Sequence, residues 1–534
     1  MGKRNPLLCG LVLSCVGAWV MPTFSQAQTS AANWFGLPLP GPATDAEIVR
    51  TADDLPPLRS PFTGSVPEFE GERAHDWLTH IVSFSYEDRA SGNPFWGRMS
   101  GSPAYTKAID YIENELRSLG VQVARHEVPY YGPDRVPTGF HASAVLRDAA
   151  GNELAREPLQ SAFPMRYRPL TSNGKLVLGS QQMNLTAEVV SIGQGSPADI
   201  ATRDLRGRIA LASVPSEPTP AYSDYRLIPE RVAATGAAGL ILAWNMPGNM
   251  QVALANCMEI PCINVGGRDG AFVRAVIARA ANAGNLRLYA DMGVETETRN
   301  DKTTTILEAK IPGRDSSQNI IVTAHADAYL TGANDNASGV AILLALVDYY
   351  RQHKPAYDIY FSVSPGHHSD TQGINPFLDR HPGLPAQNLL GINIEHVAQR
   401  GMVRSQYSVI DPNAKLNYDD ASVMYVYSNA DSDLREVQLS HADHPKVLEL
   451  VKSAITRHRM NVPARVVKST FQTEIGPVAD QGGITLQPVE VSMVYHTSGD
   501  TAETVSPATL EAQALFYRDL IDEFSRHRKS DLLN

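Results

Sequence analysis

Residues 319–353 read NIIVTAHADAYLTGANDNASGVAILLALVDYYRQH. The opening "NIIVTAHADA" is a strand-length apolar run closing on His325-Ala-Asp327. A polar, glycine-bearing loop carrying Asp335 follows. "SGVAILLALVDYYRQH" then has helical length and stops before Pro355, which cannot continue a helix. Strand, loop and helix recur on the C-terminal side. "YDIYFSVSP" and "LLGINIEHV" read as strands, and "HPKVLELVKSAITRHRM" as a helix. "EVSMVYHTSGDT" reads as a late strand with a polar end, and "PATLEAQALFYRDLIDEFSRH" as the closing helix. Apolar strands alternating with helices predict an α/β fold: a mixed, mostly parallel central sheet covered by helices on both faces.

Upstream, "SPAYTKAIDYIENELRSLG" carries Ala108, Ile109, Ile112, Leu116 and Leu119 at helical spacing, with Gly120 as the stop. "VQVARHEVPY" alternates like a strand. Residues 176–296 have a different texture. Short apolar strands ("AEVVSIGQG", "GRIALASVP", "AGLILAW"), the small-residue helix "IPERVAATGAAG" and "IPCINVGGRDG" predict a small α/β module of its own. Residues 28–70 are rich in Pro, Gly and Ser and read as an irregular arm. The expected organisation is 1–27 a signal peptide, 71–175 and 297–534 the two parts of a main domain, and 176–296 an insert between them.

The signal peptide is read from a basic "MGKR", the apolar "LLCGLVLSCVGAWVM" and small residues at Ser25 and Ala27. Cleavage is expected after Ala27, placing the protein in the periplasm or medium. No later stretch is long and apolar enough to span a membrane. Cys9 and Cys15 leave with the leader. Cys257 and Cys262 remain, either as a small disulfide loop or as two thiols. The formal net charge of −11 and the lack of a dense Lys/Arg run argue against a nucleic-acid partner.

In open α/β sheets ligands sit beyond the carboxyl ends of the strands. The predicted strand ends supply His325 and Asp327, then His367-His368, then Glu395 and His396, then His496 with Asp500 close behind; the loop adds Asp335. Imidazoles and carboxylates drawn from separate parts of a chain suit a catalytic divalent metal, zinc above all.

"TAHADAYLTGANDNASGVAILLAL" together with "YHTSGDT" resembles the signature of the co-catalytic zinc metallopeptidases of family 28. That family includes bacterial leucyl aminopeptidases, glutamate carboxypeptidases and glutaminyl cyclases. The resemblance covers about 71–175 and 300–530. Residues 176–296 resemble a protease-associated domain through "DLRGRIAL", "AAGLILAW" and "IPCINVGG". The resemblance implies one or two zinc ions. His325 and Glu395 would bind the first, His368 and His496 the second, and Asp335 would bridge both. It implies that Asp327 orients His325 and that Asp500 supports its loop. The family has two adjacent glutamates, a general base and a ligand, where this chain has His367 and His368. Asp370 would replace the missing acid if the register slips. In "IGPVADQGGITL" only Asp480 echoes a family loop.

The His-His pair leaves one anionic ligand fewer and no anionic base. A carboxylate about 4 Å from a divalent ion is worth roughly 8 kcal/mol gross at an effective dielectric of 20. The second ion would bind more weakly, or the extra positive charge would acidify water without a base. Three functions follow: an exported metal-dependent hydrolase of peptide amides, aminopeptidase-like; a specialised hydrolase of other amides or esters using His367; and a non-catalytic relative that binds metal or peptide. The expected partner is a peptide or small amide.

Overall fold

The computed structural model describes residues 33–45, 48–49, 69–215, 224–368, 373–400, 402–405, 424–427, 434–458, 465–469, 473–490, 492 and 494–534. The expected leader, most of the expected arm and Asp370 lie outside these residues. No described helix is long and apolar enough to cross a membrane.

The main sheet has eight strands in the order Arg465–Lys468, Leu434–Leu439, Thr485–Glu490, Asn388–Asn393, Asp315–His325, Tyr357–Ser364, Thr303–Ile311, Val123–Pro129. Four central neighbours, from Thr485–Glu490 to Tyr357–Ser364, run parallel, so their carboxyl ends share one edge. Antiparallel pairs flank them. The mixed α/β architecture expected from the sequence is present. Asp315–His325 is buried from Gln318 onward, as its apolar run requires. The following helix, Ser338–Gln352, is buried nearly all round because helices Gly71–Ala90, Pro103–Ser118 and Pro507–Phe524 pack with it. Each fully buried Leu or Ile there contributes about 1.5–3 kcal/mol. Ser102 caps the helix Pro103–Ser118 and Gly120 follows at φ 79°, a left-handed stop that favours glycine.

A second, ten-stranded sheet stands on its own core. Its long strands are Asp134–Asp148, Leu286–Arg299 and Gly179–Ser191, joined by Ile209–Pro215, Gly239–Asn245 and Cys262–Val265. Strands between Asp134 and Tyr167 pair within this sheet, so the second unit draws in chain upstream of residue 176. The segment after "INVGG" is the 17-residue helix Gly267–Ala283, which packs on this sheet. Cys257 and Cys262 are joined as a disulfide inside the second core.

Two expected strand ends differ. The strand before Glu395 stops at Asn393, and the last strand stops at Glu490. His496 lies instead in a turn. Val494, two residues earlier, is buried in the second core, which ties this turn to the second unit.

Candidate metal centre

His325 ends its strand and is fully buried. Its Nδ1 lies 3.0 Å from the Asp327 main-chain oxygen. A carbonyl only accepts, so Nδ1 carries the proton and Nε2 presents a lone pair. The Asp327 carboxylate, expected to orient this ring, lies 3.6 Å from the same Nδ1. It also accepts from the main-chain N–H groups of His367, at 3.2 Å, and His368, at 2.9 Å. Asp327 thus fixes the turn that carries the two histidines. Burial raises its pKa, but His325 and His368 beside it hold it well below the usual carboxylate range.

Asp335 is reached through a loop whose amides are held by Asp500. Asn334 N–H donates to it at 2.8 Å and Asp335 N–H at 3.1 Å. Burial pushes the Asp500 carboxyl up to about 7, against these two hydrogen bonds. Asp335 turns one oxygen to each side. Oδ1 faces Nε2 of His325 at 3.2 Å and Nε2 of His396 at 3.3 Å. Oδ2 faces Nε2 of His496 at 2.9 Å and Nε2 of His368 at 3.3 Å. The Nε2 atoms of His368 and His496 are 3.0 Å apart.

These contacts test whether the residues fit a cation. Nε2 of His325, Oδ1 of Asp335 and Nε2 of His396 are buried without a hydrogen-bond partner. The lone pair of His325 points at a carboxylate oxygen, an arrangement that is unfavourable unless a positive charge lies between them. Ligand atoms about 2.0–2.1 Å from a tetrahedral zinc stand roughly 3.3 Å apart, close to the separations seen here. Two donor sets share Asp335: His325, Asp335, His367 and Glu395 form one, and Asp335, His368 and His496 the other, with ligand atoms inside each set within 4.8 Å. The residues fit a divalent cation in either set.

His367 stacks on His325, ring centroids 4.1 Å apart. Its Nε2 is 3.4 Å from Glu395 Oε1, and its Nδ1 makes a short contact with Glu474 Oε1. Burial lowers the pKa of this imidazole, but the Glu474 and Glu395 carboxylates overcome it and carry the ring to about 9. Asn393 Nδ2 donates to both acids, at 3.0 Å to Glu474 and 2.8 Å to Glu395, and Gln487 donates to Glu395 at 2.8 Å.

Sequence reasoning passed over Glu474, Asn393, Gln487 and the buried Arg98. Glu474 sits in the turn Thr473–Ile475, immediately before the segment in which only Asp480 stood out. Asp480 itself is exposed at the end of the short helix Gly476–Asp480. An acid at the rim of an otherwise apolar segment was the available signal. Arg98 donates to the main-chain oxygens of Thr331, at 2.8 Å, and Gly332, at 2.7 Å, behind the Asp335 loop. His396 and His496 adopt φ of 51° and 54°. Left-handed backbone costs a bulky residue about 1–3 kcal/mol and persists where surroundings enforce it, as at binding sites.

A cavity of about 330 Å³ opens over His367, His368 and His496. Its walls include Tyr329 and Tyr495, and from the second unit Arg166, Arg168 and Arg226. Tyr329 Oη donates to the His368 carbonyl at 2.9 Å, and so does Arg166 Nη1 at 2.6 Å.

Residues 307–521 match the family model described as Peptidase family M28. A vacuolar membrane protease of Schizophyllum commune is 38% identical over 76 residues, which are 14% of this chain and 8% of that protein. The chain thus spans less than a tenth of that curated relative. Among solved structures, a Peptidase M28 precursor from Shewanella amazonensis is similar at TM-score 0.56 and 16% identity, over 85% of this chain and 96% of that one. BSAP, a zinc aminopeptidase from Bacillus subtilis, is similar at TM-score 0.52 and 16% identity, over 87% and 98%. An aminopeptidase from Aneurinibacillus sp. is similar at TM-score 0.50 and 18% identity, over 86% and 93%. These likenesses establish a shared fold.

Proposed function

We propose that this protein, whose residues 307–521 match the model of Peptidase family M28, is a zinc-dependent hydrolase of peptide or related amide bonds. One observation carries the reading: the two oxygens of Asp335 each face two imidazole Nε2 atoms, on opposite sides of a buried carboxylate. His325 and Glu395 with Asp335 would hold one ion, and His368 and His496 with Asp335 a second. When bound, zinc supplies Lewis acidity to the amide carbonyl and lowers the pKa of water at the site.

The chain's own residues manage the proton. In the neutral form of the His367 ring Glu474 holds the proton on Nδ1, leaving Nε2 as the nitrogen that takes a proton from water and returns it to the leaving amine. The imidazole–carboxylate pair thereby stands in for the family's single carboxylate base. Asn393 keeps Glu474 and Glu395 apart and oriented, and Asp327 holds the main chain of His367 and His368 in register. Tyr329 and Arg166 fasten the His368 carbonyl.

A second reading is favoured by one contact: Nε2 of His367 falls inside the donor set of His325, Asp335 and Glu395. His367 would then be a ligand and the site would have no base, as in the specialised or non-catalytic alternatives. His367→Ala separates the two. As a base, its loss leaves zinc content intact and slows cleavage of aminoacyl anilides about 100-fold or more; as a ligand, its loss lowers zinc content.

The disulfide Cys257–Cys262 and the basic-apolar start of the chain support an exported enzyme. The second sheet is read as a protease-associated domain that walls the substrate cavity.

A further inference from the structure

We propose that His396 is a ligand of the first zinc ion, joining His325, Asp335 and Glu395. The inference rests on the metal-centre reading above, which leaves His396 without a role, and deepens it.

Four donor atoms form a closed circuit. Oδ1 of Asp335 lies 3.2 Å from Nε2 of His325 and 3.3 Å from Nε2 of His396. Oε1 of Glu395 lies 3.9 Å from Nε2 of His325 and 3.5 Å from Nε2 of His396. Imidazole nitrogens and carboxylate oxygens therefore alternate, and each donor faces two of the opposite kind. At these separations the buried Nε2 of His396 forms a hydrogen bond with neither oxygen, nor with any other group among the described residues. A protonated ring that served only to neutralise the two acids would direct its N–H at one of them. Ligands of one cation stand at such separations without bonding each other, and a lone pair turned toward the ion satisfies the buried nitrogen.

The loop that carries Asp335 also clamps His396. Asn334 and Asn336 flank Asp335, and their side-chain amides donate to the main-chain oxygens of Val397 and Ile394, at 2.9 Å each. Those two residues flank Glu395 and His396. Ser338 Oγ accepts from the Val397 N–H at 3.3 Å. Tyr495 packs edge-on against the His396 ring, with centroids 5.1 Å apart. This clamp holds His396 in its left-handed φ of 51°. The described lining of the cavity includes His367, His368 and His496 and none of the four donors around Asp335 Oδ1. The first ion would thus be enclosed by protein ligands. The second, with three, would keep a position for substrate, as catalytic zinc sites do. With His396 in the first set, Nε2 of His367, whose Nδ1 meets Glu474, is left to act as the base.

Zinc affinity of the full chain, measured by chelator competition in wild type, His396→Ala and His396→Gln, tests the assignment. His396→Ala should weaken zinc at one site about tenfold or more. His396→Gln, which keeps an oxygen donor at similar reach, should recover part of the loss. Zinc binding unchanged or tighter in His396→Ala, as removal of a merely neutralising cation would give, overturns the inference. Nitrogen NMR of the wild-type chain loaded with a spin-active cadmium isotope decides the matter if the variants do not fold. The His396 Nε2 resonance should be split by the ion. An unsplit resonance beside bound cadmium overturns the inference and leaves the metal centre standing. A wild-type chain that binds neither zinc nor cadmium overturns the metal-centre reading and the inference with it. A split resonance in a protein that cleaves no anilide keeps His396 as a ligand and removes only the hydrolase reading.

Discussion

Glu474 lies against Nδ1 of His367, and through that ring it reaches the cavity over the metal donors. Neither residue lies in the same segment, and Asn393 joins Glu474 to Glu395 as well. The contact fixes which nitrogen of His367 is available to a substrate. Glu474→Gln keeps the shape and removes the charge. It should bring the His367 pKa down from about 9 toward the ordinary imidazole value in the metal-free protein. Nitrogen-resolved NMR titration of that form reads the change. In the zinc-loaded protein, anilide hydrolysis should fall about 100-fold with zinc content preserved.

His325→Ala removes one imidazole of the first donor set and one of the two rings that face Asp335 Oδ1. Zinc retained after dialysis should drop relative to wild type, as should the thermal stabilisation that added zinc confers. Mass spectrometry for metal and a melting curve with and without zinc check both.

Arg98→Met strips the hydrogen bonds that hold the Thr331 and Gly332 carbonyls beneath the Asp335 loop. Leaving buried carbonyls without their charged donor costs about 1–3 kcal/mol for each unsatisfied group. Urea unfolding of the metal-free protein should show a loss of that order, and the variant should bind zinc less tightly.

Asp269 offers a pH test remote from the metal centre. It is buried in the second unit. Its Oδ2 accepts from Ser161 N–H at 2.6 Å and from Asn249 at 3.3 Å, while its Oδ1 has no partner. Burial raises its pKa to about 6, outweighing those hydrogen bonds. A carboxyl raised in the folded state binds its proton more tightly there than when unfolded. Its contribution is therefore present at low pH and is lost as pH rises from about 4 through 6, by at most ~3 kcal/mol. Asp269→Asn, which mimics the protonated acid, should flatten that part of the stability profile measured by urea unfolding across pH.

Much of the site was legible in the chain because its chemistry sits where strands end. His325 closes an apolar run, and Asp335, His367, His368, Glu395 and His496 follow other runs; the fold brings them to one edge. What stayed hidden depends on contacts between distant segments. Glu474, Asn393 and Gln487 are common residue types whose roles appear only once three strands and a turn are side by side. Asp327 was read as an orienting carboxylate; its main-chain oxygen also meets the His325 ring, a contact that no side-chain pattern carries. The second unit draws in chain from residue 134 because the strand Asp134–Asp148 pairs along its whole length with Leu286–Arg299, a long-range register that local texture does not encode.

Zinc content of the purified full chain, compared with Asp335→Asn after dialysis against metal-free buffer and zinc reconstitution, decides whether Asp335 anchors a metal centre. One or two zinc ions per wild-type chain and a clear loss in the variant are expected, because Asp335 faces both donor sets. A wild-type chain that holds no zinc after reconstitution, or an Asp335→Asn chain that holds as much as wild type, would contradict it.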